Sequence, residues 1–189
     1  MLTAFLASTA LVALAEIGDK TMLLAILLAA RLRAPAPILA GILVATLVNH
    51  ALAALAGREA AGLIDASWFR LAVALGFIAM AVWTLVPDKL EDDQPTVSRR
   101  GGAFLTTLIA FFVVEIGDKT QVATIALGAR YHSVAVVTAG TTLGMMLANT
   151  PAVLFGEALI RRVSLKAARI AAALLFLALG LWQLTEWLS

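Results

Sequence analysis

The hexapeptide EIGDKT, Glu16 to Thr21, lies inside the apolar run TALVALAEIGDKTMLLAILLAA (residues 9–30). It recurs letter for letter from Glu115 to Thr120, inside TLIAFFVVEIGDKTQVATIALGA (residues 107–129). Each copy sets two acids and a lysine at the centre of a stretch otherwise suited to lipid. Charges in such a position are costly, so by default they mark a function. A second identical copy in the same setting argues against accident.

The rest of the chain points to the same solvent. Of its 189 residues 62% are hydrophobic and only 14% charged, with a mean hydropathy of +0.97. A soluble domain is about half apolar and about a quarter charged. One core cannot hide this much apolar surface, and a bilayer can. There are no cysteines, which removes disulfides, zinc ribbons and thiolate sites. A formal charge of +2 with no basic patch argues against a nucleic-acid partner. Met1-Leu2-Thr3-Ala4 lacks the positive start of a cleavable signal. The first apolar run is therefore expected to remain as a membrane span.

A spanning helix needs about 20 mostly apolar residues. The sequence offers six, at roughly 2–30, 36–56, 67–86, 103–129, 134–157 and 166–188. The breaks between them carry loop signals: RLRAPAP, GREAAGLIDASWFR with Asp65 or Ser67 as a cap, PDKLEDDQPTVSRRGG, GARYHS and GEALIRRVSLKAAR. Sliding the chain by 99 residues without a gap makes about 27 of about 90 pairs identical. Gly41 then falls on Gly140, Gly57 on Gly156, Arg31 on Arg130, Phe77 on Phe176 and Trp83 on Trp182.

Three spans per half is an odd number, so the second half enters the bilayer from the opposite side. The expected fold is an all-α integral membrane protein of six transmembrane helices, built as two inverted three-helix repeats. Residues 1–86 form the first repeat, 87–101 a cytoplasmic polar linker and 102–189 the second repeat. Arg31, Arg33, Lys89, Arg99, Arg100, Arg161, Arg162, Lys166 and Arg169 fall on one side, against Arg58, Arg70 and Arg130 on the other. The positive-inside rule places the first set in the cytoplasm and both termini outside it.

Within each motif the acids are three residues apart and share a helical face. Inverted repeats bring such positions together near the membrane midplane, so Glu16, Asp19, Glu115 and Asp118 are expected to converge. Gly18 and Gly117 allow close approach or local unwinding. The first and fourth runs exceed the hydrocarbon thickness, which tilt or a break at the motif would absorb. Carboxylates with carbonyls and hydroxyls suit calcium, magnesium or manganese. The four acids with Lys20 and Lys119 sum to −2, matching one divalent ion. Without metal, four close carboxylates in low dielectric cannot all stay ionised, and some take protons. That is the basis of cation/proton exchange. The competing reading is a packing salt bridge, since Glu16 and Lys20 form an i,i+4 pair.

Supporting residues follow. Lys20 and Lys119 balance charge, and Thr21 and Thr120 offer hydroxyls. Gln121 has no counterpart, because Met22 holds its place. Asn49 and His50 lie in the second span, and His50 aligns with Asn149 in the fifth. These could complete a coordination shell or make interhelical hydrogen bonds. His132 falls in a loop. Trp68, Trp83, Trp182 and Trp187 read as interfacial anchors.

Two copies of Glu-x-Gly-Asp-Lys-Thr, each in the first span of a three-helix half, resemble the cation/proton antiporter family of transmembrane protein 165, also called uncharacterised protein family 0016. The resemblance covers the whole chain. It matches at Glu16, Gly18, Asp19, Lys20 and Thr21, and at Glu115, Gly117, Asp118, Lys119 and Thr120. It implies export of manganese, or calcium, in exchange for protons, with the ion as substrate and no cofactor. The short chain is similar to the bacterial form, which implies the inner membrane. An amino-acid exporter, a passive channel and an intramembrane aspartyl protease are the alternatives. The protease would need a Gly-x-Gly-Asp element, but Glu16 and Glu115 stand at its first glycine.

Overall fold

Gly18 and Gly117 each lie in a turn between two helices. In the computed structural model, which describes residues 1–63, 66–86, 102–156 and 164–188, each motif run is two helices rather than one. In the first, α1 (Leu2–Glu16) stops at the motif glutamate and α2 (Lys20–Leu32) starts at the motif lysine. The second run divides the same way into α5 (Gly102–Glu115) and α6 (Lys119–Tyr131). The break is a tight turn. Ile17 has φ −65° and ψ 110°, Gly18 has φ +82°, and the Asp19 N–H donates to the Glu16 carbonyl at 3.0 Å. These are the torsions of a type II turn, whose third residue needs positive φ. Gly117 repeats it at φ +77°, with Asp118 N–H to the Glu115 carbonyl at 3.1 Å.

The remaining helices are α3 (Pro35–Leu63), α4 (Ala66–Leu85), α7 (Val134–Phe155) and α8 (Leu165–Leu188). Pro35 opens α3 at the first helical position, where its missing N–H costs nothing. The described residues are helical, with no strand among them. The expected linker 87–101, Asp65, Lys89, Arg99, Arg100, Arg161 and Arg162 lie outside them. Among the described residues, three helices are long and apolar enough to cross a membrane: Pro35–Gly62, Ser67–Leu85 and Leu165–Leu188. Leu6, Leu47, Leu52, Leu147, Leu154 and Leu174 are exposed on the outer faces. A soluble chain would not leave so much apolar surface in water; this is a membrane protein.

The backbone repeats with the sequence. Arg33 and His132, 99 residues apart, both take left-handed torsions (φ 51° and 52°) as the caps of α2 and α6. Their N–H groups bond Ala29 and Gly128, again 99 apart.

Each broken motif run packs on the opposite half: α1 lies along α7, and α5 and α6 along α3. Glycines set these approaches. A Cβ at Gly41 would lie 2.8 Å from the Phe104 carbonyl, and one at its counterpart Gly140 would lie 2.7 Å from the Phe5 carbonyl. Backbones this close need small residues, the usual packing device where lipid removes the hydrophobic drive between helices. Helices α4 and α8 pair with each other, and the repeat mates Phe77 and Phe176 meet there, fully buried, with ring centroids 6.4 Å apart.

Candidate functional site

A broken helix brings two unlike ends to one point. The last carbonyls of α1 lack intrahelical partners and suit a cation, while the first amides of α2 carry partial positive charge. Glu16 is the last residue of α1, and Asp19 is the cap residue of α2. The Asp19 carboxylate makes no capping bond to α2, and Asp118 makes none to α6.

They meet the lysines of the opposite motif. Lys20 Nζ lies 3.1 Å from Asp118 Oδ1, and Lys119 Nζ lies 3.9 Å from Asp19 Oδ1. The two halves thus exchange charges reciprocally. The exchange is uneven in depth: the Lys119 side chain is 4% exposed and that of Lys20 29%. Lys119 also donates to the Val86 carbonyl at 3.1 Å and sits 5.9 Å from the Trp83 ring centroid. Trp182, the repeat mate of Trp83, likewise holds a cation, the Arg130 guanidinium at 4.5 Å. Each of these tryptophans thus sits against a cation.

Glu16, Asp19 and Asp118 each place one carboxylate oxygen within 4.8 Å of the others, and all three residues are buried. The fourth acid is held differently. Glu115 accepts the Thr46 hydroxyl at 2.7 Å and the Asn49 amide at 3.0 Å, both from α3. Asn49 also donates to the Phe112 carbonyl at 3.1 Å. Glu16 receives the Asn149 amide from α7 at 3.3 Å. A narrow crevice beside the cluster is lined by Ala15, Ile17, Gly18, Asp19, Thr84, Lys119 and Arg169.

The supporting residues divide. Thr120 donates to Asp118 Oδ2 at 3.2 Å. The Thr21 hydroxyl is buried with no hydrogen-bond partner among the described residues. Gln121 accepts the Gly117 N–H at 2.7 Å and so braces the second motif turn. His50 is fully buried, neither ring nitrogen has a partner among the described residues, and it is not in the carboxylate group. His132 caps α6, and Trp68 is 72% exposed. Thr46 and Arg169 were not expected at the site. Thr46 precedes Asn49 by three residues, so it shares the face that meets Glu115, and that spacing was available in the sequence.

The geometry can be set beside known proteins. The family model described as divalent cation/proton antiporter GDT1 matches residues 4–92 and 103–189. A Vibrio cholerae protein named "Putative manganese exporter" is 48% identical over 171 residues, covering 90% of this chain and 84% of that one. A "GDT1-like protein" of Synechocystis is 30% identical over 196 residues, covering 93% and 94%. "GDT1-like protein 5" of Arabidopsis thaliana is 29% identical over 221 residues, covering 97% and 96%. No solved structure matches the chain. The family match covers nearly the whole chain on both sides of residues 93–102; the chain belongs to the GDT1 family of divalent cation/proton antiporters, which are transporters and not enzymes.

Proposed function

We propose that this chain exports manganese from the cytoplasm in exchange for protons, through a site built by Glu16, Asp19 and Asp118 with Glu115 beside it. Coupled exchange replaces the passive-channel, amino-acid-exporter and protease readings. The observation that carries the site is the buried group of three carboxylates drawn from both motifs. Oxygen-rich donors of this kind suit manganese, with calcium as the second candidate. The name of the Vibrio cholerae relative supports manganese.

The charges explain the exchange. Buried carboxylates need a counter-charge, which can be a metal ion, a proton or a lysine. Lys20 and Lys119 supply part of it across the two halves. A divalent ion arriving at the group repels both ammoniums and displaces any protons held there. When the ion leaves on the far side, protons restore the balance.

The transport fold follows from the repeat. In our reading α1 with α2, and α5 with α6, each make one interrupted span, and α3, α4, α7 and α8 make four more. The duplicated torsions and the packing of each motif run on the opposite half support two halves of opposite orientation, 1–86 and 102–189, joined by a cytoplasmic linker. The distribution of lysine and arginine supports an inner-membrane protein with both termini outside the cytoplasm. A cytoplasm-active reporter should be silent after Ser189 and active when inserted near Gln94; the opposite pattern would reverse the orientation.

Purified protein in liposomes tests the function. An acidic lumen should drive manganese uptake from a neutral bath, and a protonophore should abolish the accumulation. Uptake indifferent to the pH gradient would refute proton exchange, and uptake of calcium but not manganese would reassign the ion.

A further inference from the structure

Asn149 holds Glu16 with its amide nitrogen, while its carbonyl oxygen is left over. The nitrogen donates to Glu16 Oε1 at 3.3 Å and to the Met145 backbone carbonyl at 3.1 Å, and it lies 3.0 Å from Met145 Sδ. Asn149 is fully buried, and its Oδ1 has no hydrogen-bond partner among the described residues. Met145 is fully buried too. One nitrogen therefore gathers a carboxylate and a thioether at the same spot, with an unused carbonyl oxygen beside them.

The repeat makes the methionine informative. Met145 is the counterpart of Thr46 under the 99-residue shift. Thr46 gives its hydroxyl to Glu115 at 2.7 Å. Where one half gives Glu115 a hydroxyl, the equivalent position of the other half carries a sulfur, 3.0 Å from the amide nitrogen that donates to Glu16. Leucine would fill the same apolar space. A thioether adds a polarizable lone pair.

We propose that Met145 Sδ, with Asn149 Oδ1, extends the carboxylate group and sets its choice of cation. This inference rests on the carboxylate site proposed above. Calcium and magnesium take hard oxygen ligands, whereas affinity for softer donors rises along the transition metals. One thioether in place of an oxygen penalises calcium more than manganese, and favours a soft ion such as cadmium most. Met145 is then a specificity residue, and the two halves are unequal because only one carries it.

The test uses full-length protein with Met145→Leu, which keeps the volume, and Met145→Thr, which copies the other half. Manganese uptake into liposomes is measured against calcium and cadmium as competitors. Both variants should still transport manganese. Their preference for manganese over calcium should fall by about tenfold, the scale of losing one supporting group at a metal site, and cadmium should lose more. X-ray absorption of the cadmium-loaded protein gives an independent readout, because the chain has no cysteine and any sulfur neighbour must be methionine. Wild type should show a cadmium–sulfur distance that Met145→Leu lacks while still binding cadmium. An unchanged ion ratio, or no sulfur neighbour in wild type, overturns the proposal. Failure of the underlying site would look different: Asp19→Asn would then keep both cadmium binding and the sulfur signal.

Discussion

Asp118→Asn should abolish manganese exchange as deeply as Asp19→Asn, although the two residues are 99 positions apart. Each change keeps the side-chain shape and removes one charge. In the unloaded site it also removes the charge of a carboxylate that a lysine of the opposite motif faces, Lys20 in one case and Lys119 in the other. Each change also removes one of the three grouped carboxylates proposed to hold the ion, and a loss of about 3 kcal/mol of ion binding corresponds to about a hundredfold in transport. Glu16→Gln should do the same, since Glu16 belongs to the same group. Glu115→Gln should give a defect of the same kind with a smaller effect on metal affinity, because Thr46 and Asn49 occupy its oxygens. The double variant Glu16→Gln with Glu115→Gln should be strongly non-additive, as residues of one site are. Initial uptake rates for the singles and the double decide this. One motif tolerating neutralisation while the other does not would make the tolerant copy structural.

The lysines should separate in the same assay. Lys119→Ala is expected to be much worse than Lys20→Ala, and to lower the yield of folded protein as well. Lys119 is almost fully enclosed, holds the Val86 carbonyl at the end of α4 and sits on Trp83, so its loss leaves both a cavity and a buried polar group. Lys20 is partly open, and water can screen Asp118 when it is gone. Lys20→Arg should retain part of the activity, because arginine can still reach Asp118. Equal losses for the two alanine variants would contradict the uneven depth of the pairs. Normal transport by both would remove the charge-balance argument altogether.

Much of this site could be read from two hexapeptides. Their setting pointed to the solvent and their spacing to the repeat, while Gly18 and Gly117 left open whether the run tilts or breaks; the positive φ at both glycines settles that it breaks. The crossed pairing was hidden by the break itself. Lys20 follows Glu16 by four residues, which on a continuous helix makes them neighbours. A turn at Gly18 removes that helical geometry and turns Lys20 toward Asp118. Sequence equivalence says which residues correspond, but not which ones touch across two helices.

The amide partners illustrate the same limit. Asn149 aligns with His50, yet Asn49 is the residue that bonds Glu115. A shift of one position on a helix rotates a side chain by about 100°, so exact correspondence fails where packing differs slightly between halves. Thr46 escaped for another reason. Threonines in membrane helices commonly bond their own backbone, as Thr124 and Thr141 do here. Only the neighbouring helix distinguishes Thr46 from them.

The central claim is that one site is shared by the two halves and serves both metal and protons. Calorimetric titration of manganese into the purified protein tests it most directly. Repeating the titration in buffers of different ionisation heat counts the protons released per ion bound. Wild type should bind manganese with proton release, and Asp19→Asn and Asp118→Asn should each lose the binding, although they alter different motifs. Undiminished manganese binding in either variant, or binding without proton release in wild type, would contradict the account.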